Sequence, residues 1–239
     1  MEKMTPHDIL NRRALQIQRG AARAAVLGVN DGLVSILCIV LAVAGAGAHS
    51  SSVLLAGFAG LIAGAISMAA GEWISVRAQV ELFEGVLKDI HHLIHDDKTI
   101  LVSQIAKSLE EGGQSKKTAE RSASEMAEDH RQLIKVYARQ VMGFNPDELG
   151  SPWLAALSSF ALFTLGALAP LAPWVFIGGS MAIWISIGLT GVGSLIVGGY
   201  IGVSSGKNRL YGAVRQLAIV ALASVVTYGI GYIFGVSVG

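Results

Sequence analysis

The sequence predicts an all-α membrane protein: five transmembrane helices, with a helical cytoplasmic subdomain between spans two and three. Three observations predict it. The 239 residues are 52% hydrophobic and only 15% charged, where a soluble domain has about 25% charged residues. Five apolar stretches approach or exceed the roughly 20 residues that cross a hydrocarbon core of about 30 Å. All 18 Lys and Arg residues fall in segments that five crossings place on one side.

The stretches are Ala24–Ala48, Val53–Ser75, Trp153–Ala169, Val175–Val203 and Tyr211–Val236. The third is short, and Pro170 is expected to end it, because proline removes a helical hydrogen bond. Basic residues precede span one (Lys3, Arg12, Arg13, Arg19, Arg23), fill the segment between spans two and three, and lie where span four meets span five (Lys207, Arg209, Arg215). The connections His49–Ser52 and Pro170–Trp174 and the C-terminal tail carry none. The positive-inside rule makes the charged side cytoplasmic, so the N-terminus is expected inside and the C-terminus on the far side. Four or six spans would scatter this charge. The expected divisions are a cytoplasmic N-terminal segment (1–23), a transmembrane hairpin (24–76), the cytoplasmic subdomain (77–150) and spans three to five (151–239).

Residues Met1–Gln18 read as a polar helical lead-in, not a removable signal peptide. Span two continues past Arg77 as a helix to about Leu109. Val80, Phe83, Leu87, Ile90, Ile94, Leu101 and Ile105 recur near helical period, and Glu110-Glu111-Gly112-Gly113 stops it. Ser115–Met142 reads as one further helix, packing through Met126, Leu133, Ile134, Val136 and Tyr137. Asn145-Pro146-Asp147 is a turn.

Two acids break the apolar pattern, Asp31 in span one and Glu72 in span two. A charge at mid-membrane costs roughly 2.5–3.5 kcal/mol on insertion scales, so such residues mark ion pathways by default. Measured from Arg23 and Arg77 at 1.5 Å per residue, Asp31 lies about 12 Å deep and Met68 about 13.5 Å. Glu72 is one turn from Met68 on the same face. Gly28, Gly32, Gly60 and Gly64 provide the small residues that let helices approach, and Asn30 adds an amide oxygen. A hard carboxylate with a soft thioether suits a transition metal such as Fe²⁺ or Mn²⁺ better than Mg²⁺ or Ca²⁺, which prefer all-oxygen sites. A carboxylate in low dielectric holds its proton to higher pH, so exchange of metal for protons is the expected chemistry.

Enzymatic function is not expected. No activated nucleophile or Walker-type phosphate loop is present. His91-His92-x-x-His95 resembles one histidine box of a di-iron desaturase, but that chemistry needs several boxes and the chain has six His. The single cysteine, Cys38, excludes an intrachain disulfide and reads as a small packing residue. A net charge of +1 gives no reason to expect nucleic acid.

The runs from Ala24 to Ser35 (Gly28-Val29-Asn30-Asp31-Gly32 within it) and from Gly57 to Glu72, with Leu149-Gly150-Ser151-Pro152-Trp153, resemble the signatures of the vacuolar iron transporter family. The resemblance covers nearly the whole chain. It implies a homodimer of five-span protomers that moves Fe²⁺ or Mn²⁺, as substrate and not cofactor, out of the cytoplasm against protons. The path would run at the dimer interface between first and second spans. Asp31 and Met68 match the family's Asp and Met ligands, and Glu72 a Glu of its nodulin-like and bacterial branches. The partners implied are a second copy, the bilayer, metal ions and protons. The membrane would be the inner membrane in a bacterium, or a vacuolar-type membrane in a eukaryote. An alternative is a membrane-anchored metal sensor that does not transport.

The chain departs from the family in its cytoplasmic segment. Family members with a metal-binding domain carry a Glu-rich cage there. The matching positions here are Ile90, Leu93, Leu101 and Gln104 on the first helix and Tyr137, Ala138 and Val141 on the last. The segment does offer His91 and His95, spaced i, i+4 as a metal pair, with Glu128 and His130 on the other helix to complete a possible site.

Overall fold

A computed structural model describes residues 20–146 and 149–238, with side chains described over 26–146 and 149–235. The expected N-terminal lead-in, with Lys3, Arg12, Arg13 and Arg19, lies outside the described residues, as does Asp147 of the expected turn. Seven α-helices and no strands occur among the described residues. They are α1 (Gly20–Gly45), α2 (Ser50–Glu111), α3 (Lys116–Met126), α4 (His130–Gln140), α5 (Pro152–Phe176), α6 (Gly179–Ser204) and α7 (Arg209–Val238). Five of them are long and apolar enough to cross a membrane: α1, α2, α5, α6 and α7. The chain divides into two compact units. The first joins the residues up to Ile74 with those from Pro152 onward, and the second is Ser75–Ser151.

In the first unit α1 packs most extensively on α5. Gly32 and Gly166 make this possible. A Cβ at Gly32 would stand 2.9 Å from the Ala167 nitrogen, and one at Gly166 3.1 Å from the Leu33 nitrogen. Both are backbone atoms that cannot step aside. Gly28 likewise seats against the Ser159 carbonyl. Gly28 and Gly32 thus serve the seam of the first span with the third. Gly60 and Gly64 do face the bundle, but they receive side chains, Ile36 and Ile39 at Gly60 and the Phe163 ring at Gly64. The core is Ile36, Leu37, Val40, Leu41, Val53, Leu61, Phe163, Ala167, Leu171 and Trp174. Outside it, Trp184, Leu222 and Val225 are largely exposed, as suits helices whose solvent is lipid.

Span three runs longer than expected. Pro170 and Pro173 both lie inside α5, which continues to Phe176, so Val175 belongs to the third span and not the fourth. Proline is tolerated in membrane helices, and the Ser186 hydroxyl of α6 ties onto α5 at this level by donating to the Pro170 carbonyl at 2.7 Å. The turn that follows needs Gly178 and Gly179, both at positive φ (68° and 63°). The Gly179 amide donates to the Ser50 hydroxyl at 3.0 Å. Gly235 abuts Ala46, so the end of α7 lies with those two connections at one end of the unit. The α6–α7 turn is at the other end, where Gly202 meets the Asn208 carbonyl. The three charge-free ends of the sequence therefore share one end of the bundle.

The second unit has its own core. Ile90, Ile94, Leu101 and Ile105 of α2 pack on Ala123, Ala127, Leu133 and Tyr137. α2 ends at Glu111, as the Glu-Glu-Gly-Gly run predicts. The single helix expected over Ser115–Met142 is instead two. Ala127, Glu128 and Asp129 interrupt it, and Asp129 caps α4 by accepting from the Arg131 amide at 2.8 Å. α2 also kinks at Asp97 (φ −155°, ψ 87°). The Asp97 carboxylate accepts from the Thr99 amide at 3.0 Å and from the Thr99 hydroxyl. An Asp that bonds two residues ahead offers the chain an alternative to the helical ladder.

Candidate metal path and candidate histidine site

Asp31 sits on a face of α1 that the other described spans leave partly open. Leu27 is exposed, and Asp31 and Ser35 are half-buried, at helical spacing, whereas Gly28, Gly32, Leu33, Ile36, Leu37 and Val40 are buried. Ser35, one turn on, donates its hydroxyl to Asp31 Oδ1 at 2.7 Å. That leaves the second carboxylate oxygen and further lone pairs for an ion.

Met68 and Glu72 follow from the register of α1 against α2. Gly57 meets Val40, Gly60 meets Ile36 and Ile39, and the Phe163 ring of α5 reaches Gly64 while its backbone meets Gly32. Continued at the same antiparallel step, Met68 comes level with the turn of α1 that holds Asp31. Glu72 comes level with the turn before it. Met68 is half-buried and packs against the core. Glu72 is half-buried, with no hydrogen bond or ion pair among the described residues. Beside it Trp73 stacks edge-on with Trp153 at 5.9 Å.

Asn30 has a partner on another span. Its side-chain oxygen accepts from the Gln216 amide of α7, and Gln216 is 5% exposed. A donor buried among apolar helices needs such a partner, so this oxygen helps to hold α1 on α7. Gln216 was missed by sequence reasoning. The signal was there: an amide in an apolar span, which carries the same presumption of purpose as an acid.

Of the second-unit positions matched to the family's cage, Ile90, Leu101, Tyr137 and Ala138 are buried packing residues, whereas Leu93 and Gln104 are exposed. The Tyr137 hydroxyl donates to Gln104, and burial pushes its pKa above the usual tyrosine value. The histidines do come together. The rings of His91 and His95 are 5.0 Å apart, and His130 stands 6.3 Å from His95. Glu128 is exposed in the break before α4 and is not brought to them by any contact among the described residues. As they stand, no three His, Cys, Asp or Glu side chains among the described residues enclose an ion.

Residues 22–232 match the model of the VIT family. Among curated relatives, vacuolar iron transporter homolog 1 of Oryza sativa subsp. japonica is 33% identical over 219 residues, covering 89% of this chain and 73% of the relative. The vacuolar iron transporter of Acanthamoeba castellanii is 31% identical over 219 residues (90% and 78%). VIT-like transporter 1b of Glycine max is 31% identical over 216 residues (90% and 76%). With its five apolar helices and a family match over nearly its whole length, this membrane protein belongs to the VIT family.

Proposed function

We propose that the chain moves divalent transition-metal ions, Fe²⁺ and Mn²⁺, out of the cytoplasm in exchange for protons. The path runs between first and second spans where two copies meet. The observation that carries this reading is the position of Asp31, on the partly open face of α1 and within a turn of the level of Met68. An acid left facing lipid is costly. A second protomer would cover it and close a path around it. The relatives' printed names, iron transporters and VIT-like transporters, support the substrate class and give nothing to the sensor alternative.

Glu72 receives the ion near the cytoplasmic entrance, and Asp31 with Met68 binds it at mid-depth. The carboxylates must lose their protons to bind metal. Loading metal from one side and protons from the other then couples the two fluxes. The thioether disfavours Ca²⁺ and Mg²⁺, which take oxygen ligands. The second unit is the cytoplasmic subdomain, and the end holding Lys207 and Arg209 faces the cytoplasm.

Proteoliposome flux of Fe²⁺, Mn²⁺ and Ca²⁺ under a pH gradient tests the reading. Asp31→Asn is expected to abolish transport. Met68→Ala is expected to slow Fe²⁺ and Mn²⁺ and to narrow the preference over Ca²⁺. Glu72→Gln is expected to reduce the rate at low metal concentration more than at saturation. Wild-type flux in all three variants would remove the site.

A further inference from the structure

We propose that His91, His95 and His130 form a second metal site, of imidazole ligands, on the second unit. It is independent of the transport path and of the reading just given. The fold brings the three together for a plain reason. Ile94 of α2 and Leu133 of α4 are both in the core. His95 adjoins Ile94, and His91 lies one turn before His95. His130 lies one turn before Leu133, at the first residue of α4. Burying Ile94 and Leu133 therefore sets the imidazoles at the rim of one seam.

The spacing fits chelation. Two imidazoles bound at about 2.0–2.1 Å to one tetrahedral ion put their ring centres about 5 Å apart. His91 and His95 already stand at 5.0 Å. The 6.3 Å between His95 and His130 exceeds that by about one ångström, within reach of a side-chain rotation. All three side chains are exposed, so no packing resists the movement. His91 also borders an open cleft of about 420 Å³ with Lys88, Arg131 and Lys135. These cations oppose an ion held by charge alone. The ion must form strong bonds to neutral nitrogen, which selects Zn²⁺, Co²⁺, Ni²⁺ or Cu²⁺ over Ca²⁺ and Mg²⁺. Three protein ligands leave a position open, as in an exchangeable site.

The test is Co²⁺ titration of the full-length chain in detergent, with any purification tag removed, followed by visible absorption and by competition with Zn²⁺. An Asp31→Asn, Met68→Ala background removes the proposed membrane ligands. We expect one Co²⁺ per chain with a tetrahedral spectrum, displaced by Zn²⁺. His91→Ala and His95→Ala abolish the spectrum, and His92→Ala leaves it intact. Losing a ligand costs at least what losing its outer-shell partner costs, about ten-fold in affinity, so His130→Ala weakens binding by that much or more. Equal binding by wild type and His95→Ala, no effect of His130→Ala, or a loss in His92→Ala as large as in His95→Ala would overturn the site.

Discussion

Asn30 and Asp31 are neighbours in sequence with opposite tasks. Asn30 turns to Gln216 and ties α1 to α7. Asp31 turns to the partly open face and, among the described residues, is bonded to its own helix through Ser35. One residue of rotation, 100° on a helix, separates a structural amide from a candidate ligand. The amide pair should therefore show in stability and not in selectivity. Interhelical hydrogen bonds in membranes average about 0.6 kcal/mol and reach about 1.7. Gln216→Leu leaves the Asn30 oxygen unpaired and is expected to lower the thermal midpoint in detergent. The Asn30→Leu, Gln216→Leu double variant is expected to lose less than the two singles combined, with a coupling of about 0.5–1.5 kcal/mol. Metal preference should be unchanged in both. Additive losses in the double-variant cycle would show that the pair does not interact.

At the scale of elements, local chemistry decides where helices stop. Asp97 interrupts α2 because its carboxylate captures Thr99. The bond from the Thr99 hydroxyl, with that from the Thr99 amide, holds the Asp97 carboxyl below its ordinary value of 3.8. A depressed folded-state pKa contributes order above the ordinary carboxylate range and loses it as pH falls through the folded value. Amide exchange at Thr99, corrected for its intrinsic pH dependence, is expected to lose protection as pH drops below about 4, and Asp97→Asn should show no such step. This break was not legible beforehand, since Asp96-Asp97 reads as ordinary polar surface. The division of α3 from α4 was hidden for the same reason: Asp129 is one more acid until its carboxylate is seen capping. The reach of α5 past Pro170 was hidden because the packing around it, with the Ser186 hydroxyl on the Pro170 carbonyl, comes from another helix. What periodicity and charge did reveal were the long features, namely five spans, the stop at Glu111 and the apolar seam of the second unit.

For the whole molecule, the question is what covers the outward face of α2. Its backbone approaches none of the other described spans as closely as that of α1 approaches α5, α6 and α7. Ala59, Ala63, Ser67 and Gly71 lie exposed along it at steps of four. Lipid has no use for such a groove of small residues, whereas another helix does. Residue counting speaks to the depth of Asp31 and Met68 and not to their faces, because rotation about a helix axis depends on partners that a sequence does not name. If a second copy seats on the stripe, Ser67→Trp is expected to convert a dimer to a monomer by light scattering and to abolish metal flux. Ile196→Trp, equally bulky but on an outward face of α6 (Ile196 is 65% exposed), is expected to leave both intact. A dimer that survives Ser67→Trp with full transport would mean that the stripe faces lipid, and that Asp31 is shielded by something other than its twin.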